Sequence, residues 1–220
     1  MEDRQFRLRV TYGKTGRLAM LSHLEVTHAL ERIVRRSGLP FALSCGFSPH
    51  MKMAFGSALP VGIGGTCEIF DLTLDDYVAP AKALDVLKRS APADMMPVEA
   101  EYVEPSAKAA SVANPFSMYE VRFDSPVTGF EYPSQIEVVR KKKAKTLQVA
   151  DYLVGEPVAE GCSMRFQLES KDTGSLRPDV FVKSMSLAFD DGAGSLGSDS
   201  VPGVPAVRSI TRTAQSPTRL

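Results

Sequence analysis

The first 40 residues change from a strand-like to a helix-like pattern of apolar positions. Residues 6–12 place an apolar side chain at every second position, which is typical of a strand with one buried face. Over residues 22–37 the apolar positions recur at helical spacing instead. Ser22 at the start and Glu25 three residues later match a capping box. Gly38 then predicts the end of the helix, because glycine readily adopts the left-handed conformation that closes one.

Three further strands and a second helix are predicted before residue 106. The strand patterns alternate in hydrophobicity, whereas the helical pattern begins at Pro80, a residue type favoured in a first helical turn. The resulting order, β-α-β-β-α-β, is that of a split βαβ or ferredoxin-like domain. The predicted strands span residues 41–45, 67–74 and 98–103, and the predicted helix spans residues 80–91.

Residues 106–115 are mostly small or polar and end in proline, which predicts a linker. The chain beyond this linker shows strand patterns again but only one helical pattern. We therefore predict an α+β protein made of tandem ferredoxin-like (split βαβ) halves, residues 1–105 and 116–220, of which the second is degenerate. The strands predicted in the second half span residues 117–123, 136–140, 147–149, 163–168 and 207–213, and the helix spans residues 178–189.

Composition places the chain among ordinary globular proteins. Hydrophobic residues make up 44% of its 220 positions, which is enough for a core. No apolar run is long enough to cross a bilayer, and the charged N-terminal residues do not resemble a signal peptide. A cytoplasmic protein without a membrane partner is therefore the expectation.

The three cysteines, Cys45, Cys67 and Cys162, are odd in number and widely spaced. No pair has the C-x-x-C spacing of a zinc knuckle, and an odd number does not suggest a disulfide framework. We therefore expect reduced thiols, and no metal or other cofactor.

The formal net charge of zero hides an uneven distribution of charge. Residues 1–40 carry eight Lys or Arg and four Asp or Glu, whereas residues 66–105 carry three and nine. A basic face and an acidic face are therefore both expected. The densest basic run either contacts nucleic acid or is a solvated strand edge. This basic strip comprises Arg140, Lys141, Lys142, Lys143 and Lys145.

Residues 41–65 are rich in glycine and apolar side chains and hold one charged side chain, Lys52, besides His50. A long irregular segment in a compact domain is usually functional, and the apolar content argues against disorder. In a split βαβ domain we expect this loop and the N-terminus of the first helix at the same end of the sheet, where their donors and cations suit a phosphate or another anion. The predicted anion site comprises Arg17, Ser22, His23, Ser48, His50 and Lys52.

Five short motifs are spread over nearly the whole chain: L-S-H-L-E at 21–25, G-F-S-P-H at 46–50, F-G-S-A-L-P-V-G at 55–62, L-R-P-D at 176–179 and I-T-R-T at 210–213. Together they resemble the uncharacterised radical SAM-linked protein family, whose members occur beside, or fused to, a B12-binding radical SAM protein. The resemblance implies an accessory role and a radical SAM protein as partner, with RNA modification as one option. Because the chain lacks the three-cysteine cluster motif, it is not itself a radical SAM enzyme.

Three functions fit these residues. The first is a non-catalytic module that presents RNA or another anionic substrate to a partner enzyme. The second is a metal-independent RNA endonuclease that uses His50 as acid or base. In it, His50, His23 and Lys52 would supply the general base, the general acid and the cation that stabilises the phosphorane. The third is a protein-binding adaptor that uses the acidic segment 68–104. We favour the first, because zero net charge is unusual for an RNA enzyme; a purely structural role for His50 stays an alternative.

Overall fold

The computed structural model describes residues 5–104, 106–140, 143–188 and 205–220. Its strands and few helices form an α+β fold, which confirms the predicted class. Contacts between residues divide the chain into two compact units, Met1–Asn114 and Pro115–Leu220. Most of the segment that the sequence suggests as a linker, residues 106–114, therefore belongs to the first unit.

In the first unit two helices connect four strands, and a short third helix follows. The strands lie in the order β4-β1-β3-β2, and each of these neighbouring pairs runs antiparallel. The helices connect β1 to β2 and β3 to β4, in the predicted order. The elements are β1 (Phe6–Lys14), α1 (His23–Ser37), β2 (Met53–Phe55), β3 (Ile63–Leu74), α2 (Pro80–Ser90), β4 (Pro97–Tyr102) and α3 (Ala110–Ala113).

Helix α1 has both of the capping signals that the sequence predicts. The Ser22 hydroxyl accepts a hydrogen bond from the Glu25 backbone N–H, and the Glu25 carboxylate accepts one from the Ser22 backbone N–H. Gly38 closes the helix in the left-handed conformation, at φ 71°. The apolar stripe of α1, which includes Leu30 and Ile33, packs with strand and α2 side chains. The core of the first unit therefore lies between its sheet and these two helices.

The opposite face of this sheet carries a buried charge cluster. Leu8 and Val10 of β1 are buried in the core. Arg7 and Arg9, which alternate with them along the strand, therefore project from the other face. The register places Asp71 of β3 directly opposite Arg9. The Asp71 carboxylate, only 3% exposed, accepts hydrogen bonds from Arg7 Nη2 at 2.6 Å and from Arg9 Nε at 2.8 Å.

Both guanidiniums also hold the segment that follows β4. Arg7 donates from Nη1 to the carbonyl oxygen of Ala107 at 2.7 Å and from Nη2 to that of Lys108 at 3.0 Å. Arg9 reaches the Lys108 carbonyl oxygen at 3.3 Å. The hydrogen bond to Asp71 raises the pKa of Arg9, so that this guanidinium keeps its charge. Asp71 thereby determines where residues 107–109 cross the sheet.

The prediction of a second strand at residues 41–45 is wrong. Only two isolated bridges form within it, and the strand that pairs with β3 is Met53–Phe55. Both segments are mostly apolar, so the hydrophobic pattern alone cannot choose between them. The third strand also begins earlier than predicted, at Ile63, because β3 accommodates Gly64 and Gly65 in buried positions.

The second unit contains a four-stranded antiparallel sheet in the order β12-β5-β10-β9. Two small antiparallel pairs, β6 with β11 and β7 with β8, lie outside that sheet. Among its described residues this unit has one α-helix, α4. The elements are β5 (Phe116–Phe123), β6 (Gly129–Glu131), β7 (Gln135–Arg140), β8 (Lys143–Gln148), β9 (Leu153–Glu160), β10 (Ser163–Glu169), α4 (Pro178–Lys183), β11 (Ser186–Ala188) and β12 (Val207–Ser216).

Several elements of the second unit differ from the sequence predictions, among them β6, which was not predicted, and β8, which begins at Lys143 rather than at residue 147. Strand β9 is not predicted, because Gly155 and Pro157 interrupt its apolar pattern and both residue types are disfavoured inside strands. The helix predicted at residues 178–189 is too long, since α4 ends at Lys183 and residues 186–188 pair with β6. Residue 189 lies outside the described part of the chain.

Replacing Asp71 by alanine is expected to destabilise the protein by about 3 kcal/mol, because it leaves two guanidiniums side by side without their counter-charge. Urea unfolding measures this loss, and faster amide hydrogen exchange at residues 107–109 would report release of that segment. Asp76→Ala is the matched control, since Asp76 is exposed. Equal, small losses for the two variants would contradict the importance of Asp71.

Candidate functional site

An exposed loop separates α1 from β2, and its residues 44–50 are called the finger below. Two residues close its base. The Ser44 backbone N–H donates to the His50 carbonyl oxygen at 2.8 Å, the His50 backbone N–H donates to Ser44 Oγ at 3.1 Å, and Ser44 Oγ lies 2.8 Å from His50 Nδ1. Gly46 adopts φ 131°, a conformation that larger residues rarely adopt. Phe47, in the middle of the finger, is fully exposed.

An open groove of about 460 Å³ lies beside the finger. It occupies the face of the first unit's sheet opposite α1 and α2, because Arg7 and Asp71 project from that face. His50 of the finger and residues 107–109 contribute its sides. The volume falls within the usual range for sites that bind small molecules. The polar lining residues are Arg7, His50, Lys52, Asp71 and Thr73.

Positive charge exceeds negative charge in this groove. Asp71 is the one carboxylate in the lining, and two guanidiniums already bind it. Lys52 Nζ donates at 3.1 Å to Gln5 Oε1, which is a neutral acceptor. Within the described residues Lys52 forms no ion pair, and its acceptor Gln5 also donates to Asp75 Oδ1 at 3.5 Å. A cation without a counter-charge beside apolar surface favours an anionic ligand.

The N-terminus of α1 already has an anion of its own. The Glu25 carboxylate lies 2.7 Å from Ser22 Oγ and 2.8 Å from the Ser22 backbone nitrogen. The hydrogen bond from the Ser22 hydroxyl, followed by that from its backbone, lowers the pKa of Glu25. The carboxylate therefore stays charged at the positive end of the helix dipole. An external anion at this terminus would compete with Glu25.

His23, the first residue of α1, borders a different and much smaller cavity. Its ring meets Phe55 edge-on, with the ring centroids 5.5 Å apart. The cavity, of about 20 Å³, also touches buried Lys14 and Glu68 and has room for about one water molecule. Lys14 Nζ donates to the Ile63 carbonyl oxygen at 3.4 Å. A substrate would not fit in this space.

The six residues of the predicted anion site do not converge, which corrects that prediction. The Thr73 backbone N–H donates to the Lys52 carbonyl oxygen, and Thr73 pairs with Arg7 near the start of β1. Exposed Arg17 and His23 instead follow the end of β1. His23 borders a small cavity that shares no lining residue with the groove beside His50 and Lys52. The expectation failed because β2 begins after the finger rather than before it.

The predicted residues therefore fall into two sets. Ser48, His50 and Lys52 belong to the finger and the groove, and Ser48 is exposed. Arg17, Ser22 and His23 lie at the other end of the sheet. Ligand binding by either set stays a prediction.

Of the basic strip, Arg140 belongs to β7, and Lys143 and Lys145 belong to β8 of the second unit. Lys145 Nζ donates to the Thr173 carbonyl oxygen at 3.2 Å. Contact of the strip with nucleic acid stays a prediction. The side chains that fall outside the described residues are those of Arg140, Lys141, Lys142 and Lys143.

In the described part of the chain, no group of three or more His, Cys, Asp and Glu side chains could hold a metal ion. None of the described helices combines the length and the apolar character that crossing a membrane requires.

A family model matches residues 7–178, a span that includes the finger, the groove and the basic strip. Its description is "Uncharacterized protein conserved in bacteria (DUF2344)". The chain belongs to this family. Membership confirms the prediction of an uncharacterised family, whereas the linkage to a radical SAM enzyme stays a prediction. No curated protein matches the chain.

Three residues at the candidate site were not predicted from the sequence: Arg7, Asp71 and Phe47. The alternation in β1 places Arg7 on a polar face, but its partner depends on the register between β1 and β3. Asp71 is an acid between apolar residues of a strand, and this pattern could have indicated a buried charge. Phe47 resembles a core residue by type, and only the course of the loop reveals its exposure.

Ser22→Ala is expected to lower the stability of the protein by about 1 kcal/mol at neutral pH, because it removes the side-chain cap. The folded-state pKa of Glu25 lies below its unfolded value, so the stabilisation from Glu25 is present above the unfolded pKa and lost as the pH falls through the folded pKa. The difference between wild type and variant should therefore shrink in acid.

Urea unfolding from about pH 7 to about pH 3 measures this difference across the range in which a carboxylate titrates. Ser48→Ala is the control, because Ser48 is exposed and lies outside the helix. A loss of stability that did not change with pH would contradict the coupling between Ser22 and Glu25.

Proposed function

We propose that the chain is a non-catalytic binding module that presents RNA or another anionic substrate to a partner enzyme. The groove beside the finger carries this proposal. Its carboxylate, Asp71, is shared between two arginines, while the partner of Lys52 among the described residues, Gln5, is neutral. An anion in the groove would therefore meet an excess of positive charge. The groove is open, which suits a ligand that is handed to another protein.

We also propose the finer fold assignment, tandem ferredoxin-like halves. Both units place their four main strands in the same order, with the last beside the first, then the third and then the second. In the second unit, β6, β7 and β8 occupy the connection where the first unit has α1. A shared strand order with a replaced first helix supports a degenerate second copy.

The proposed partner is a radical SAM protein, and this part rests on the sequence motifs. The motif at 46–50 makes up most of the finger, and its last residue, His50, also borders the groove. The basic strip would give the second unit a cationic surface of its own, which fits RNA as the ligand.

The geometry gives less support to the endonuclease alternative. General acid–base cleavage needs its groups within hydrogen-bond reach of the same phosphate. His23 packs edge-on against Phe55 and borders a different cavity from the groove that His50 borders. In addition, Nδ1 of His50 is engaged with Ser44 at the base of the finger. Binding is therefore better supported than cleavage.

Lys52→Ala should weaken the binding of a single-stranded oligouridylate about fivefold and reduce the slope of log K against log salt by about one, because one phosphate contact is lost. Fluorescence anisotropy at several salt concentrations measures both quantities. Lys82→Ala removes an exposed lysine from α2 and should change neither.

Inorganic pyrophosphate is the second probe, because it tests anion binding without a nucleic acid. A wild-type protein that bound neither oligouridylate nor pyrophosphate at low salt would show the proposed function to be wrong. Equal losses of affinity in the Lys52 and Lys82 variants would place the binding site elsewhere.

A further inference from the structure

We infer that the ligand of the finger and groove is a single-stranded nucleic acid, which stacks one base on Phe47 and places a neighbouring phosphate at Lys52. This inference rests on the proposed function and names the class of its anion. Three features carry it: the exposure of the ring, the closed geometry of the finger, and the charge around it.

Phe47 exposes its entire side chain, at 112% of the reference area. Aromatic side chains usually bury most of their surface, so an exposed ring on an ordered loop indicates a contact surface. The residues beside it, Gly46 and Ser48, are small and exposed. A flat partner such as a base therefore has access to the ring.

The finger that carries this ring is closed at its base before any ligand arrives. Three hydrogen bonds between Ser44 and His50 close the loop at its base. Pro49 further restricts the backbone between the ring and that base. Because the loop is already ordered, binding a base would cost little conformational entropy.

The surroundings of Phe47 suit a phosphate backbone. No Asp or Glu occurs between Phe41 and Cys67, and Lys52 follows the finger closely. The Cα atoms of Phe47 and His50, which borders the groove, are at most about 11 Å apart. A stacked base and a phosphate in the groove can therefore belong to one short segment. A single strand is required, because bases in a duplex stack on each other.

A pocket on a partner protein is the other structure that an exposed phenylalanine could enter. A stable protein interface buries about 800 Å² on each side and has an apolar centre. Apart from Leu43 at its base, the finger offers mainly small residues around the ring. A groove with more cations than carboxylates, beside a loop with an exposed aromatic ring, fits a single-stranded nucleic acid better.

Phe47→Ala should weaken oligouridylate binding about tenfold, because the stacking of one base contributes a factor of that order. Phe47→Trp should retain binding. The salt slope should stay unchanged in Phe47→Ala, in contrast to Lys52→Ala, since no phosphate contact is lost. Leu24→Ala is the matched control, because Leu24 is 64% exposed and lies on α1.

An abasic oligomer with the same number of phosphates isolates the stacking contribution. The abasic oligomer should bind the wild type and Phe47→Ala with equal affinity, because it has no base that can stack on the side chain at position 47 of either protein. All the Phe47 variants should have the same melting temperature as the wild type, since the ring is exposed. The tryptophan variant and the abasic probe keep the test decisive even if the alanine variant were less stable.

Each result separates the inference from the proposed function. If Phe47→Ala bound oligouridylate like the wild type while Lys52→Ala bound it weakly, stacking would be wrong and the proposed function would stand. Binding of pyrophosphate without binding of oligouridylate would overturn the nucleic-acid ligand alone. If Phe47→Ala instead disrupted a complex with a protein partner and left RNA affinity intact, the finger would be a docking surface and the inference would fail.

Discussion

The first unit depends on one carboxylate, that of Asp71, which is held between two guanidiniums. Without it, Arg7 and Arg9 would lie side by side as unpaired cations on the face of a sheet. With Asp71 in place, N–H groups of the two arginines also donate to the carbonyl oxygens of residues 107 and 108. A buried ion pair often contributes more to a unique arrangement than to stability. Here that arrangement forms one side of the groove.

The same cluster determines the charge of the candidate site. Arg7 and Lys52 line the groove together with one carboxylate, that of Asp71, so positive charge exceeds negative charge there. Outside the lining, Glu101 of β4 lies opposite Arg9 and contributes a negative charge beside it. The finger carries the exposed ring of Phe47 and borders the groove through His50. The ring and the excess charge therefore belong to one short stretch of the chain, residues 47–52.

Elements with local signals could be predicted from the sequence, and elements decided by tertiary pairing could not. Helix α1 was predicted closely, because Ser22 and Gly38 mark its ends by local hydrogen bonding and backbone conformation. The second strand was misplaced, because two apolar segments compete for the same edge of β3. That error moved the finger to the wrong end of the sheet and produced an anion site that joined Arg17 to Lys52. Asp71 was missed because its partners depend on strand register.

We propose above all that the ligand binds at the finger and the groove rather than at the N-terminus of α1. Amide chemical-shift mapping of the full chain during a titration with oligouridylate tests this claim most directly. We expect the shifted signals to concentrate in residues 44–52 and 107–109, while those of residues 22–25 stay in place. Shifts confined to residues 17–25, or shifts that leave the finger unchanged, would contradict the account.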